Sequence, residues 1–310
     1  MRYRFLPDRQ RAEIDAQVSK ILRGLGNPDP PLDLEQVRTL LRLDVGYYSS
    51  TDDSALREFV SRVRVAGKLF IERPTRILDV VRKFDLKALF VPDGQRILLD
   101  SALPEIKWRW NEAHEVIHSV LPHHQVLMHG DDIFNLNPSC HVEIEHEANY
   151  GAGRLLFLQD RFSEFALGAG RPTFAIVKAA QREFGNTLTS ALWRLVEALD
   201  VPAIGIVSPH PRYPDGNSEP CRYFIRSRAF EAQFSAVSEV DVLRVIRGYA
   251  SWSRRGPLGS QEAIVRDDNG DEHIFAFETF YNGHEALTLA VFARRRQPAV
   301  AVVVGPSTLP

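Results

Sequence analysis

The sequence predicts an α+β protein in two parts, and three observations support that fold class. Residues 1–200 carry apolar residues mainly at helical spacing, with only short candidate strands between the helices. After residue 200 candidate strands dominate the pattern. Two turn motifs there, Asp268-Asn-Gly-Asp271 and Tyr281-Asn-Gly-His284, indicate an antiparallel meander. We therefore expect a mainly helical domain with a small sheet over residues 1–200 and an α+β domain over residues 201–310.

Composition and charge narrow the class of protein. A hydrophobic fraction of 44% is ordinary for a globular chain, and a net charge of −2 provides no global basic field for nucleic acid or anionic lipid. Two cysteines, Cys140 and Cys221, are too few for a disulfide scaffold and favour a reducing compartment. The N-terminus has charges where a signal peptide needs an apolar run, and the longest apolar stretch, Pro298–Pro306, is too short to span a bilayer. We expect a soluble, cytoplasmic protein without a membrane partner.

The predicted elements before residue 100 begin with an amphipathic helix over residues 9–24, whose apolar stripe is Ile14, Val18, Ile21 and Leu22. The others follow in order: a helix capped by Asp33, a strand at 45–48, two helices within 54–84, and a strand pair at 88–91 and 96–99 joined by a turn at 92–94.

A longer helix is predicted from Pro104 to Pro122, since proline suits a first helical position and a helix ends before one. Its predicted buried face is Ile106, Trp110, Ala113, Ile117 and Val120.

A polar loop is predicted to follow as far as residue 142. Three helices come next, from His141 or Glu143 to about Gln159, at 173–184 and at 188–199. The C-terminal part is predicted to contain strands at 202–207 and 222–226, a helix from the capping box Ser238-Glu-Val-Asp241 to Tyr249, and strands at 263–265, 274–280, 287–292 and 299–304.

The motif with the most chemical content is His114-Glu115-Val-Ile-His118. Positions i and i+4 of a helix share one face, so His114 and His118 can present two imidazole nitrogens to one metal ion. Glu115 lies about 100° further around the helix, beside the metal rather than bound to it. A general base that takes a proton from a metal-activated water must lie there. The motif predicts metal-dependent hydrolysis of a peptide bond.

A zinc hydrolase usually has three protein ligands, so a third must come from another element. The next helix offers Glu145 and Glu147, which point roughly 160° apart at helical spacing. Glu145 shares its face with Ala148, Asn149 and Ala152, and small side chains let two helices approach closely. Gly151 and Gly153 fit the same close approach. We therefore predict Glu145 as the third ligand of a single Zn²⁺ ion, with Glu147 as the weaker candidate.

Other polar residues near the motif have less certain roles. His123, His124, His129 and His141 are expected in a solvated loop, with substrate orientation, oxyanion donation or a second metal as alternatives. Asn149 is a candidate to hydrogen-bond a ligand, although a capping or packing role is about as well supported. Tyr150 and His141 are candidate oxyanion donors.

The residues quoted above resemble those of the ImmA/IrrE-type regulatory metallopeptidases over roughly residues 30–200. The likeness consists of Leu32-Asp-Leu-Glu-Gln-Val37, Arg96-Ile-Leu-Leu-Asp100, the motif itself, Glu145-His-Glu-Ala-Asn149 with Ala152, Leu155 and Leu156, and Phe184-Gly-Asn-Thr-Leu-Thr-Ser-Ala-Leu-Trp-Arg194. The resemblance implies a zincin-like domain in which Glu145 is the third zinc ligand and Glu115 is catalytic. It also implies an intracellular protease whose substrate is a helix-turn-helix repressor.

The chain departs from the family pattern at three places. Ile117 stands where the family often has glycine, Gly151 where it usually has phenylalanine, and Leu155-Leu-Phe-Leu158 where it has Leu-Leu-Met-Pro. These changes affect packing near the metal and leave the ligands intact.

Two alternatives belong to other functional classes. One is a metal-binding sensor whose site is structural, against which the presence of Glu115 argues. The other is a DNA-binding regulator that uses the helix pair at 173–199 and its Gly185-Asn186 turn. The second helix of that pair is largely apolar, so we expect it to pack in the core and expect no direct DNA binding.

Overall fold

The computed structural model of the chain describes residues 5–48, 88–91, 95–129, 138–168, 170–213 and 220–296. The chain divides into two compact units. The N-terminal unit comprises Arg4–Arg171 and Ala175–Arg194, and the C-terminal unit comprises Met1–Tyr3, Pro172–Phe174 and Leu195–Pro310. The α+β class is confirmed: a mainly helical region precedes a five-stranded antiparallel sheet.

The elements up to residue 198 are, in order, α1 (Asp8–Gly24), α2 (Leu34–Leu41), β1 (Asp44–Tyr48), β2 (Ala88–Val91), β3 (Arg96–Asp100), α3 (Glu105–Val120), α4 (Pro122–His129), α5 (Pro138–Leu156), α6 (Asp160–Gly168), α7 (Phe174–Glu183) and α8 (Leu188–Ala198).

The first two helices follow the sequence signals closely. The stripe predicted for α1 is buried at all four positions, from Ile14 to Leu22. Asp33 caps α2, since its side chain accepts a hydrogen bond from the Glu35 backbone N–H at 2.9 Å. Both predictions depend on local spacing alone.

A small sheet precedes the motif helix. Its strand order is β1-β3-β2, with β1 parallel and β2 antiparallel to β3. The strand pair at 88–91 and 96–99 is therefore confirmed, whereas the predicted helices within 54–84 and the turn at 92–94 lie outside the described residues. This sheet and α5 both pack against α3, which holds the motif helix from two sides.

The motif helix α3 begins at Glu105, and Pro104 is its N-cap rather than its first residue. Of the predicted face, Ala113 and Ile117 are fully buried, while Trp110 and Val120 are half-buried. The side chain of Ile106 lies outside the described residues.

The predicted polar loop after Pro122 is wrong over its first part, which forms helix α4. Pro122 is the first residue of α4, a position where its missing N–H costs nothing. Helix α5 begins at Pro138, earlier than predicted, and α6 was not predicted at all. A proline that ends one helix can also begin the next, and the prediction treated Pro122 only as a helix end.

The C-terminal unit contains β4 (Ala203–Ser208), β5 (Tyr223–Arg226), α9 (Arg228–Gln233), α10 (Glu239–Tyr249), β6 (Gly256–Arg266), β7 (Glu272–Tyr281) and β8 (Ala286–Arg295). The strand order is β5-β4-β8-β7-β6, and every neighbouring pair is antiparallel. The meander from β6 to β8 is confirmed, with its two tight turns where the sequence predicted them. The predicted strand at 299–304 lies outside the described residues.

One apolar core holds the C-terminal sheet and its two helices together. Phe230 of α9 and Phe234, which directly follows that helix, belong to this core, and β7 contributes Phe275 and Phe277 at alternate positions. Helix α10 adds Val242, Leu243 and Ile246 to the same cluster. The unit therefore has a core of its own. None of the helices in the described parts of the chain is long and apolar enough to cross a lipid bilayer.

Candidate metal centre

The site is built where α5 packs closely on α3. Ala148 and Ala152 of α5 are fully buried. A Cβ atom added to Gly151 would lie only 2.7 Å from Ile117 Cγ2 on α3, closer than real carbon contacts allow. At Gly153 the nearest atom would be Trp110 Cη2 at 3.8 Å, an ordinary contact. The close approach predicted from the small residues is therefore present, and it requires glycine at position 151.

This approach brings the three predicted ligands together. His114 Nε2 lies 3.0 Å from His118 Nε2. The Glu145 carboxylate reaches both rings, with Oε2 at 3.2 Å from His114 Nε2 and Oε1 at 3.6 Å from His118 Nε2. Two nitrogens and a carboxylate thus form a compact triangle.

The triangle has the size that a tetrahedral zinc site needs. Ligand atoms at zinc–nitrogen and zinc–oxygen distances are separated by about 3.3 Å when the coordination is tetrahedral. The three separations of 3.0, 3.2 and 3.6 Å scatter around that value. The donor set of two imidazoles and one carboxylate also suits zinc and leaves a fourth position open. These residues therefore fit a zinc ion.

Glu115 lies next to the triangle and is buried, with 5% of its surface exposed. Its carboxylate and the ring nitrogens of His114 and His118 lie within 4.8 Å of one another. The backbone N–H of Phe90, on strand β2, donates to this carboxylate. Burial raises the pKa of Glu115 to about 7. The charge of His114 and the hydrogen bond from Phe90 lower this pKa by smaller amounts.

The charges around the ligands follow from the same packing. Burial lowers the pKa of His118 to about 4, so its ring is neutral and has a lone pair for a metal. Burial opposes ionisation of Glu145, but hydrogen bonds from His114 and His118 outweigh it and hold the pKa of Glu145 well below its usual range. Burial likewise opposes charge on His114, and Glu145 raises the pKa of that ring overall.

The second nitrogen of His114 has a partner of its own. Its Nδ1 lies 3.2 Å from Asn149 Oδ1, and Asn149 Nδ2 donates to the Glu145 backbone oxygen at 2.8 Å. The second bond fixes which end of the amide faces the ring. Asn149 therefore contacts both the His114 ring and the backbone of α5, one turn beyond Glu145.

A second cluster, which the sequence prediction missed, adjoins the first. His118 Nδ1 lies 2.9 Å from His124 Nδ1. His124 Nε2 lies 2.8 Å from Glu147 Oε2, and His123 Nε2 reaches the same oxygen at 2.5 Å. We expected His124 in a solvated loop, and that expectation is wrong, since its side chain is fully buried. The usable signal was Pro122, because a helix that begins there turns His124 back towards α3.

The other candidate residues lie elsewhere. The Tyr150 hydroxyl donates to Asp15 of α1 at 3.1 Å and accepts from Arg11 at 3.4 Å, so it is not part of the triangle. His141 lies on α5 and His129 on α4, but both side chains are outside the described residues.

The predicted turn at Gly185-Asn186 is tied to the metal-binding helices. Gly185 adopts a left-handed φ of 64°. The Asn186 side chain is buried, where Oδ1 accepts from Arg109 of α3 at 3.1 Å and Nδ2 donates to the Leu156 backbone oxygen at 3.3 Å. Arg194, the one basic residue of α8, is buried as well. These contacts agree with the expectation that the helix pair packs in the core, and DNA binding itself stays untested.

Comparisons with known proteins address the fold rather than the chemistry. No protein-family model matches the chain, and no curated protein does. Among solved structures, a chain described as a Mycobacterium tuberculosis transcriptional regulator has a similar fold, with a TM-score of 0.55. The match covers 93% of this chain and 78% of that one at 14% sequence identity. At that identity the similarity concerns the fold alone.

Proposed function

We propose that the chain is a zinc-dependent endopeptidase with a regulatory role. His114, His118 and Glu145 hold one zinc ion, and Glu115 is the general base. The observation that carries the proposal is the pair of imidazole nitrogens 3.0 Å apart, each reached by one oxygen of the Glu145 carboxylate at 3.2 or 3.6 Å, with the buried carboxylate of Glu115 beside them. A purely structural site has no need of that fourth, non-ligating group.

The residues divide the chemistry between them. A bound zinc ion supplies Lewis acidity, which polarises the substrate carbonyl and lowers the pKa of a coordinated water towards neutrality. Glu115 removes a proton from the attacking water and returns it to the leaving amine. The Phe90 N–H holds the Glu115 carboxylate in place for both transfers. Asn149 fixes the ring of His114 so that Nε2 faces the ion.

The substrate class rests on a different argument. The motifs shared with ImmA/IrrE-type proteases imply cleavage of a helix-turn-helix repressor. The solved structure of similar fold is described as a transcriptional regulator, which is compatible with a role in the same kind of pathway. The regulatory part of the proposal rests on these two likenesses and the zinc site rests on geometry.

The ligand assignment is tested by the metal content of purified protein. We expect about one zinc per chain in the wild type and its loss in His114→Ala and Glu145→Ala, because each variant leaves only two ligands. Glu143→Gln is the matched control, since Glu143 is an exposed carboxylate on the same helix. Full zinc occupancy in Glu145→Ala would show that the third ligand is misassigned.

Catalysis is tested with Glu115→Gln, which keeps the shape of the side chain and removes its basicity. We expect this variant to retain zinc and to lose proteolysis by at least about 100-fold. Protein N-termini would be compared in source cells that produce the wild type, Glu115→Gln or Glu143→Gln. New N-termini should appear with the wild type and the control only. The same N-termini from Glu115→Gln would contradict the mechanism, and none from any of the three proteins would favour a metal-binding sensor.

A further inference from the structure

The second cluster forms one continuous line of hydrogen bonds that starts at a metal ligand. It runs from His118 Nδ1 to His124 Nδ1 at 2.9 Å and from His124 Nε2 to Glu147 Oε2 at 2.8 Å. The His124 side chain has no exposed surface, and 5% of the Glu147 side chain is exposed. Water therefore has little access to either bond.

Proton positions along this line are determined by its two ends. A His118 ring that binds zinc through Nε2 has its proton on Nδ1. That proton can only be donated to His124 Nδ1, which must then be the bare nitrogen of its ring. The proton of His124 consequently lies on Nε2, where the Glu147 carboxylate accepts it. Every donor in the line meets an acceptor in this single arrangement.

The same reasoning argues against a second metal ion at this cluster. A metal on His124 Nε2 would move the ring proton to Nδ1, where it would face the Nδ1 proton of a zinc-bound His118 across 2.9 Å. The distances agree, because 2.5 and 2.8 Å to Glu147 Oε2 are hydrogen-bond lengths. His123, His124 and Glu147 are close enough together to hold a metal ion, but with zinc on His118 the proton arrangement favours a hydrogen-bond network.

We propose that His124 and Glu147 are positioning residues that fix the ring and tautomer of the zinc ligand His118. This inference rests on the proposed zinc site. Many metal-binding histidines donate directly to a carboxylate, which orients the ring and increases its basicity. Here the imidazole of His124 lies between the two groups, so that Glu147 of α5 orients the ring of His118 on α3 through His124. Asn149 is the corresponding partner of His114.

His123 provides a matched control within the same cluster. It bonds the same Glu147 oxygen, but its side chain is 43% exposed and it does not lie between Glu147 and His118. A role confined to packing would also make the buried His124 more sensitive than His123, so the comparison of His124→Leu with His124→Gln, which keeps both hydrogen bonds, separates packing from positioning. A positioning role makes only His124 important.

The first test measures zinc affinity by competition with a chromogenic chelator. We expect His124→Leu to bind zinc about 10- to 100-fold more weakly than wild type. His124→Gln should restore most of that affinity, since its amide oxygen can accept from His118 and its amide nitrogen can donate to Glu147. His123→Gln should match wild type. Wild-type affinity in His124→Leu, or equal losses in His123→Gln and His124→Leu, would overturn the proposal.

The second test reads the ring protons of the wild-type protein and uses one variant, His124→Gln, only to assign a signal. Long-range ¹H–¹⁵N spectra of zinc-loaded protein labelled at its ten histidines report the tautomer of each ring. We expect His124 with its proton on Nε2, assigned by the loss of its signal in His124→Gln. A His124 proton on Nδ1, or two zinc ions per chain, would overturn the proposal.

The outcome is separable from that of the proposed function. If Glu145→Ala keeps zinc at wild-type affinity, the zinc site itself is wrong. If Glu145→Ala loses zinc while His124→Leu keeps it, only the positioning role is wrong.

Discussion

At the scale of single residues, the packing of Ile117 against Gly151 explains two departures from the family pattern at once. The ImmA/IrrE-type pattern that the motifs resemble often has glycine at the position of Ile117 and phenylalanine at that of Gly151. Here Ile117 on α3 fills the space beside Gly151 on α5. A Cβ atom added to Gly151 would lie 2.7 Å from Ile117 Cγ2. The two departures therefore compensate each other, and the helices remain close enough to share a metal.

This pairing predicts a strong coupling between the two positions. Gly151→Ala should cost about 1–3 kcal/mol because the new methyl group meets Ile117. In an Ile117→Ala background the same change should be neutral or stabilising by up to about 1 kcal/mol, since alanine favours a helix more than glycine does. Thermal unfolding of the four proteins measures the coupling. Gly153→Ala is the control and should not destabilise, as its Cβ has room. Additive effects would contradict the assigned contact.

The sequence singled out the three residues proposed as ligands but not the network behind them. His114, His118 and Glu145 could be selected because helical periodicity relates residues that are close along the chain. His124 and Glu147 lie on two different helices, and their meeting depends on how the chain turns after Pro122. Pro122 was the one local indication of that turn, and it was interpreted only as the end of α3. Glu147 was judged the weaker ligand for pointing away from Glu145, and that direction is the one in which His124 lies.

At the scale of elements, boundaries set by side-chain caps were predicted most accurately. Helix α10 begins and ends as the Ser238-Glu-Val-Asp241 motif indicated. Ser238 Oγ accepts from the Asp241 N–H at 3.3 Å, and the Asp241 carboxylate accepts from the Ser238 N–H at 3.2 Å. Helices α4, α6 and α9 were missed, although the Ser227 hydroxyl caps α9 by accepting from the Phe230 N–H at 3.2 Å.

The capping box predicts a measurable effect on stability. Ser238→Ala should lower the free energy of unfolding by about 1 kcal/mol, and Ser238→Asn should lower it much less, because asparagine is also a good N-cap. Hydrogen bonds from the Ser238 side chain and backbone lower the pKa of Asp241. The ionised Asp241 carboxylate therefore stabilises the folded state fully above the ordinary pKa of an aspartate, and this stabilisation is lost as the pH falls through the lowered pKa. Chemical denaturation at neutral and acid pH tests both statements. An equal loss in the Ala and Asn variants would contradict the cap.

At the scale of the whole molecule, composition and periodicity were sufficient for the fold class. Alternating burial in β7 and the Asn-Gly and Asp-Asn-Gly turns specify the meander, whereas β8 is buried at its first six positions. The strand order of the small sheet was not predictable, because parallel pairing of β1 with β3 joins segments separated by residues 49–95. Long-range pairing of this kind leaves no periodic pattern in either strand.

The division into two units predicts that metal removal acts locally. The proposed ligands lie on α3 and α5, so a zinc ion ties these two helices together. The C-terminal sheet has a separate apolar core. Chelation should increase amide hydrogen exchange in α3 and α5 and leave β7 and β8 unchanged. Glu145→Ala should show no response to the chelator. Equal changes in both units, or none in α3, would contradict this expectation.

The contact between Ile117 and Gly151 also restricts how such a site can change over evolutionary time. A lineage that exchanges the two side-chain volumes cannot enlarge position 151 first, because the new side chain would separate the helices that carry the ligands. It must first shorten position 117 and tolerate a cavity of a few methyl groups, at a cost of about 2–5 kcal/mol. The order of substitutions is therefore constrained. Only an ancestor whose free energy of unfolding exceeds this cost would remain folded through the intermediate step.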